Sequence, residues 1–287
     1  MLKAILKTMK INHYLKNILV FVPLIFSLNF FSFELFAKTT AAFVAFCAIS
    51  SVVYILNDII DCKNDRLHPT KCTRPIASGK LPIWLALIIL LVLLGASCAI
   101  SFKINSLCLF MILSYLALNI LYSLKLKNIA LIDVACIAFG FILRVLIGCF
   151  AISVVPSPLV ILLTFFASMF FTFSKRKLEL QQLEEVSKCR DSLKEMDTNL
   201  VNQFVVINAV LAIAFYFTYM LDPQTIQRAG SDLLFVTVIP FTLIVFHLLF
   251  LINKSKNDDP IIFFEKDMTL KILLLFYIAV LFVVLAV

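Results

Sequence analysis

Nine apolar runs, each long enough for a helix to cross a lipid bilayer, follow one another along the 287 residues of this chain. A helix rises 1.5 Å per residue, so about 20 apolar residues span a hydrocarbon core of about 30 Å. Hydrophobic residues make up 62% of the sequence and charged residues 15%, a composition outside that of soluble globular proteins. We therefore predict an all-α, multi-pass membrane protein that forms one domain over residues 1–287. The predicted spans are residues 17–33, 39–57, 82–102, 105–122, 129–150, 158–174, 200–221, 233–252 and 268–287.

A basic segment precedes the first apolar run, as it does in a signal peptide. No convincing small-residue cleavage site follows it, and Pro23 lies within the run. We predict an uncleaved first span.

The formal net charge of +8 follows the membrane topology and does not indicate a nucleic-acid partner. With the N-terminus in the cytoplasm, the outer loops hold only Lys38, Lys103 and Arg228, whereas every inner segment is rich in lysine or arginine. This is the positive-inside pattern, and it predicts a cytoplasmic N-terminus. Three polar segments long enough to hold chemistry then face the cytoplasm: residues 57–81, 175–199 and 253–267.

The first polar segment carries three aspartates at helical spacing. On a helix, Asp58, Asp61 and Asp65 fall within an arc of about 60°, so three carboxylates share one face. Such oxygen ligands favour a hard cation, and we predict Mg²⁺. The alternative is a solvated helix end with ordinary surface charge. The cations that follow suit the oxygens of a diphosphate: Lys63, Arg66, Lys71, Arg74 and Lys80.

The run from Asn57 through Asp58, Asp61 and Asp65, continuing with His68-Pro69-Thr70-Lys71 and Arg74-Pro75-Ile76-Ala77-Ser78-Gly79, resembles the first signature of the UbiA superfamily of intramembrane prenyltransferases. The resemblance implies nine transmembrane helices around a central cavity. It also implies that the three aspartates bind Mg²⁺ and the donor diphosphate, that Asn57 assists, and that Lys71 and Arg74 hold the diphosphate. His68 then contacts a phosphate directly, or contacts a side chain that does.

Within that superfamily, the decaprenyl-phosphate phosphoribosyltransferase branch resembles nearly the whole chain. The segments that carry this resemblance are Lys16-Asn17, Tyr122 to Lys127, Asp133 with the GFILRVLIG run around Arg144, Ser174 to Leu180, and Asp258-Asp259-Pro260 with Asp267. The branch implies transfer of a 5-phosphoribosyl group from phosphoribosyl diphosphate to a decaprenyl-like polyprenyl phosphate. It also implies a place in a bacterial cytoplasmic membrane.

The second polar segment begins with cations. Superfamily members that use a prenyl diphosphate usually carry a second acidic motif there, whereas this chain reads SKRKLEL. Lys175, Arg176 and Lys177 cannot ligate Mg²⁺, but they can hold a second phosphate. The alternative is a helix end that obeys the positive-inside pattern.

The resemblance also makes Lys16 and Asn17 candidate substrate contacts. Two further sets of residues are candidate substrate contacts. Arg144 lies inside the fifth span, where an arginine normally faces a cavity and an anion; the alternative is a buried pair with another helix. Asp133 is eleven residues away on the same helix, so a direct pair is not expected. Tyr122 and Lys125 either contact phosphates or anchor a helix at the interface.

Two other functions remain open on sequence alone. Prenyl transfer from a prenyl diphosphate to an aromatic or other acceptor needs the same first motif but also a second acidic one. A transporter needs charged residues that reach both faces, and the predicted outer face is nearly bare.

Overall fold

The computed structural model describes residues 1–27, 32–67, 71–182, 197–255, 260 and 262–286. Those residues form helices and no β-strand. The α-helices are α1 (Leu2–Met9), α2 (Val22–Phe26), α3 (Phe33–Ile60), α4 (Cys62–Leu67), α5 (Ile83–Ile104), α6 (Ser106–Leu124), α7 (Ile132–Ala151), α8 (Pro158–Gln182), α9 (Thr198–Met220), α10 (Pro223–Ala229), α11 (Val238–Lys254), α12 (Ile262–Lys266) and α13 (Met268–Ala286). The 3₁₀ helices are Ile11–Phe21, Lys71–Thr73, Leu126–Asn128 and Asp232–Thr237.

Eight helical segments in the described part of the chain are long and apolar enough to cross a membrane. They are α3, α5, α6, α7, α8, α9, the 3₁₀ helix before α11 together with α11, and α13. The prediction of an all-α, multi-pass membrane protein is confirmed, and the count of nine spans stays a prediction. The first predicted run, 17–33, is a 3₁₀ helix followed by the short α2, and its residues 28–31 lie outside the described part.

Two compact units divide the chain. The first comprises Met1–Leu124 and Leu143–Val155, and the second comprises Lys125–Ile142 and Pro156–Val287. The helix α7 contributes its first half to the second unit and the remainder to the first. The single domain over residues 1–287 stays a prediction.

The first unit is built around α3, which is longer than its predicted span of 39–57. Ser32 caps its N-terminus by accepting from the Leu35 amide, and Lys38 pairs with Glu34 one turn earlier at 2.7 Å. Those polar contacts extend the helix at its start. Its 28 residues are about 42 Å long, so α3 is longer than a hydrocarbon core of about 30 Å is thick.

Gly148 allows two helical segments of the first unit to approach closely. A Cβ at Gly148 would overlap the carbonyl oxygen of Val20, so only glycine fits there. The second half of α7 therefore packs directly on the 3₁₀ helix that contains Val20. This approach holds Arg144, one turn before Gly148, within reach of Asn17 on that 3₁₀ helix.

The second unit is packed by aromatic side chains and by a buried chain of hydroxyl groups. Phe166 and Phe215 stack with their ring centroids 5.2 Å apart, which joins α8 to α9. The Tyr216 hydroxyl hydrogen-bonds with Thr237 over 2.8 Å and with Tyr277 over 2.9 Å. These bonds satisfy the buried hydroxyl groups and connect α9 with α13.

Candidate active site

The acidic motif lies at the junction of α3 and α4. Asp61 is the C-cap of α3, with φ −82° and ψ −1°, and α4 begins at the next residue. The Asp61 amide donates to Asn57 O over 2.9 Å, and the Asp65 amide donates to Asp61 O over 2.8 Å. The backbone thus stays close to helical across the junction. The expected continuous helix is broken at this one residue, which puts Asp58 and Asp65 on different helices.

One arginine joins two of the three aspartates. Arg74 Nη1 donates to Asp58 Oδ1 over 3.2 Å and to Asp65 Oδ2 over 2.7 Å. Asp61 is half-buried in the turn between them. Within the described residues, no three His, Cys, Asp or Glu side chains are grouped so that they could hold a metal ion. The three-carboxylate metal site stays a prediction, and the structure adds Arg74 as the cation shared by two of its members.

The loop before α5 carries Arg74 back to the motif. Arg66 Nε in α4 donates to Ala77 O over 3.2 Å, and the Leu81 amide donates to Pro75 O over 2.9 Å. Gly79 has a φ of 76°, a left-handed conformation that glycine adopts readily. The Arg66–Ala77 hydrogen bond therefore holds the loop against α4. The predicted diphosphate ligand Arg74 extends from this loop to the carboxylates of Asp58 and Asp65.

Lys10 is a member of this cluster that sequence reasoning missed. Its Nζ lies 3.2 Å from Asp58 Oδ1 and 4.9 Å from the centroid of the Tyr54 ring. Its backbone is left-handed, with φ 53° and ψ 51°, and it ends α1. In the sequence, Lys10 is one of several N-terminal lysines that fit the positive-inside pattern. Lys10 differs from the other N-terminal lysines in that it forms the left-handed turn after α1.

Asp58 has one satisfied and one unsatisfied oxygen. Its side chain is 1% exposed, and Oδ1 accepts from both Lys10 and Arg74. Its Oδ2 is buried and has no hydrogen-bond partner among the described residues. A buried carboxylate oxygen without a donor costs free energy, and a bound cation would remove that cost. Oxygen donors of this kind match Mg²⁺.

Asn57 connects the motif to α6. Ser123 Oγ donates to Asn57 Oδ1 over 2.6 Å, so the last turns of α3 and α6 are joined. Tyr122, the residue before Ser123, is half-buried, and Lys125 is exposed just after the end of α6. The substrate roles of Asn57, Tyr122 and Lys125 stay predictions.

Arg144 is buried, with 6% exposure, among neutral groups of the first unit. Its Nε donates to Asn17 Oδ1 over 2.8 Å, and its Nη2 donates to Tyr115 OH over 3.2 Å. The guanidinium also lies 5.0 Å from the Phe46 ring centroid. Asn17 in turn donates to Cys47 Sγ over 3.3 Å. The two predicted substrate contacts Arg144 and Asn17 therefore bind each other, which fits the alternative of a buried pair between elements.

The cations at the end of α8 have two kinds of partner in the second unit. Arg176 binds Asp133 over 3.1 Å and Glu179 over 2.8 Å, so two carboxylates compensate its charge. Lys177 Nζ donates to the side-chain oxygens of Asn202 and Asn253, each over 2.6 Å. These internal contacts extend α8 to Gln182, beyond the predicted end of the span at residue 174.

Asp267 forms a small polar cluster before α13. Its Oδ1 accepts from the Leu270 amide over 2.7 Å and lies 2.8 Å from His247 Nε2. The Leu270 amide first, and the His247 side chain second, lower the pKa of the Asp267 carboxyl.

The remaining predicted contacts have varied positions. Lys16 and Lys175 are half-buried, and Lys71 is exposed at the start of the loop that holds Arg74. Their substrate roles stay predictions. His68, Asp258 and Asp259 lie outside the described residues.

The chain is similar in sequence to a known protein family and to a named member of it. The family model described as the UbiA prenyltransferase family matches residues 19–281. The chain is 28% identical to the decaprenyl-phosphate phosphoribosyltransferase of Mycolicibacterium smegmatis, in an alignment that covers 97% of this chain and 91% of that protein.

Solved structures have a similar fold. A structure described as digeranylgeranylglyceryl phosphate synthase matches with a TM-score of 0.71 and 19% identity, covering 99% of this chain and 98% of the other. A UbiA homologue from Archaeoglobus fulgidus bound to GPP and Mg²⁺ matches with a TM-score of 0.70 and 15% identity, covering 99% and 100%. At these identities the likeness establishes the fold.

Proposed function

Because the chain belongs to the UbiA prenyltransferase family, we propose that it transfers a 5-phosphoribosyl group from phosphoribosyl diphosphate to a polyprenyl phosphate and releases diphosphate. The observation that carries the proposal is the pair of buried carboxylates Asp58 and Asp65 joined through Arg74 at the end of the long helix α3. The similarity to a decaprenyl-phosphate phosphoribosyltransferase over almost the full length of both chains supports the choice of donor and acceptor.

Mg²⁺ is the proposed cofactor. Asp58, Asp61 and Asp65 would hold it, and the buried Asp58 Oδ2 without a partner among the described residues fits such a role. The UbiA homologue with bound Mg²⁺ supports the choice of metal. When bound, the ion supplies positive charge that favours departure of the diphosphate.

The cations around the motif would bind the donor. Arg74 and Lys10 already contact Asp58, so they can donate to diphosphate oxygens without a large movement of the backbone. Lys71 precedes Arg74 on the same fastened loop. Departure of the diphosphate breaks the bond between its oxygen and ribose C1, and these side chains stabilise the negative charge that develops.

The acceptor needs little activation. A phosphate monoester carries about −1.5 to −2 charges at pH 7, so its oxygen attacks C1 without a general base. The new bond between C1 and the lipid phosphate oxygen gives a phosphodiester, and diphosphate leaves. The contribution of the protein is therefore orientation and charge compensation. Lys175, Arg176 and Lys177 would hold the second phosphate group at the end of α8.

The proposed location is the cytoplasmic face of a bacterial cytoplasmic membrane, with a cytoplasmic N-terminus. The distribution of lysine and arginine along the sequence supports this orientation. On that face the soluble, highly charged donor is available, and the polyprenyl tail of the acceptor stays in the bilayer.

A direct assay tests the proposal. Purified protein in detergent is incubated with Mg²⁺, ribose-labelled phosphoribosyl diphosphate and a polyprenyl phosphate, and the lipid fraction is counted. We expect a labelled lipid whose formation requires all three additions. No labelled lipid, together with transfer from a prenyl diphosphate to an aromatic acceptor, would replace this proposal with prenyl transfer.

A further inference from the structure

Lys177 is a buried cation whose only side-chain partners among the described residues are two neutral amides. It is 3% exposed, and its Nζ donates to Asn202 Oδ1 and Asn253 Oδ1 over 2.6 Å each. Neither asparagine belongs to any motif in the sequence. The three residues join the end of α8, the start of α9 and the end of α11.

The adjacent arginine provides an internal comparison. Arg176 is also buried, but Asp133 and Glu179 both bind it, so its charge is compensated within the protein. No described carboxylate lies within ion-pair distance of Lys177 Nζ. A buried charge without a counter-ion is costly, and the amide oxygens reduce that cost only in part. The positive charge of Lys177 is therefore less compensated within the protein than that of Arg176.

The amide of Asn253 has a fixed orientation. Its Nδ2 donates to Leu249 O over 2.8 Å one turn earlier in α11, which turns Oδ1 toward Lys177. Asn253 is exposed and Asn202 is half-buried, so the cluster reaches the protein surface at this end of the unit. An ammonium group has three donors, and the two amides use two of them. The third is not used by any described residue.

We propose that Asn202 and Asn253 are positioning residues that hold Lys177 as the ligand of a phosphate monoester, and that Lys177 rather than Arg176 is the principal phosphate contact among the cations of α8. This inference rests on the proposed function for the nature of the anion. The phosphate monoester is either the 5-phosphate of the donor or the phosphate of the lipid acceptor, since both have the same chemistry.

The substitutions Asn202→Asp and Asn253→Asp separate this role from a structural one. An aspartate still accepts the hydrogen bond of Lys177, so a purely structural contact survives in Asn202→Asp and its melting temperature does not fall. Asn253→Asp also loses the donor to Leu249 O, so Asn202→Asp provides the stability comparison. The new carboxylate, however, compensates the ammonium charge. We expect affinity for the phosphate monoester to fall at least about tenfold, the scale of one hydrogen bond to a charged group. Asn199→Asp is the matched control, because it adds the same charge at an exposed position of α9.

Binding is measured directly by equilibrium dialysis with two labelled probes, ribose 5-phosphate and geranylgeranyl phosphate. Weaker binding of the first identifies the donor phosphate, and weaker binding of the second identifies the acceptor phosphate. If an Asp variant does not fold, Lys177→Met replaces it, since this substitution removes the charge and keeps the side-chain length. We expect the same loss of affinity.

Two results would overturn the inference: wild-type affinity for both probes in the folded variants, or no binding of either probe to the wild-type protein. Turnover of the wild-type protein is measured separately. Failure of the proposed reaction is therefore distinguishable from failure of this site.

Discussion

The Nη1 atom of Arg74 donates to Oδ2 of Asp65 over 2.7 Å. The same nitrogen also binds Asp58, so one loop arginine compensates two carboxylates that lie on different helices. The proposed Mg²⁺ would bind those same carboxylates, so the arginine and the ion compete for the negative charge of Asp58 and Asp65. The shared arginine offsets the repulsion between two buried carboxylates.

Replacing Arg74 tests this competition. In Arg74→Ala, Asp58 and Asp65 lose their shared cation, so the variant melts at a lower temperature without Mg²⁺. Mg²⁺ then raises the melting temperature by at least about 2 °C more than it does in the wild type, because a ligand of the native state stabilises it by mass action. The measurement is thermal unfolding in detergent with and without Mg²⁺. Arg228→Ala, at an exposed position in α10, is the control and matches the wild type. Equal Mg²⁺ effects in Arg74→Ala and the wild type would contradict the competition.

Gly148 gives a test of packing with an internal control. In Gly148→Ala the new methyl group meets the Val20 carbonyl oxygen, so α7 must shift and the Arg144–Asn17 contact weakens. We expect a loss of about 1–3 kcal/mol of stability, typical of overpacking. Gly95→Ala is the control because no atom lies within 4 Å of its added Cβ, and its melting temperature stays equal or rises. An unchanged melting temperature in Gly148→Ala would show that this close approach is not required.

The long helices are the part of the fold that sequence predicts well, because an apolar run of about 20 residues has few alternatives in a bilayer. Helix ends are predicted less well. α3 starts before its apolar run because Glu34 pairs with Lys38, and α8 continues past residue 174 because its cations find buried partners. Asp133, Asn202 and Asn253 are distant in sequence from the cations of α8, and local patterns do not reveal such partners.

The candidate site is also predictable from the sequence only in part. The motif aspartates and Arg74 lie in one polar segment, so the sequence places them at one site. It predicts Arg74 as a diphosphate ligand, however, and not as the partner of Asp58 and Asp65. Lys10, by contrast, is 48 residues from Asp58. Its contact with Asp58 depends on a left-handed turn that the sequence does not predict. The partners of Arg144 and Lys177 include uncharged asparagines, a residue type that carries little signal in a search for ion pairs.

The Asp267 cluster predicts a pH dependence. Because the pKa of this carboxyl is lowered in the folded protein, the group contributes stability above the unfolded value of about 3.9, and that contribution disappears as the pH falls through the lower folded value. Asp267→Asn therefore melts below the wild type at pH 7, and the difference narrows below about pH 4. His247→Gln keeps most of this dependence, since the Leu270 amide is the larger cause. Melting curves from pH 3 to pH 7 provide the comparison, and a difference between Asp267→Asn and the wild type that does not vary with pH would contradict it.

The position of an isotope in the donor tests the central claim most directly. Phosphoribosyl diphosphate is prepared in two forms, one labelled with ³²P in the 5-phosphate and one in the β-phosphate of the diphosphate, and each is incubated with the wild-type protein, Mg²⁺ and polyprenyl phosphate. Phosphoribosyl transfer places the 5-phosphate label in the lipid fraction and releases the β label as diphosphate, and Asp58→Asn forms no labelled lipid. The β label in the lipid, or no label there from either donor, would contradict the account.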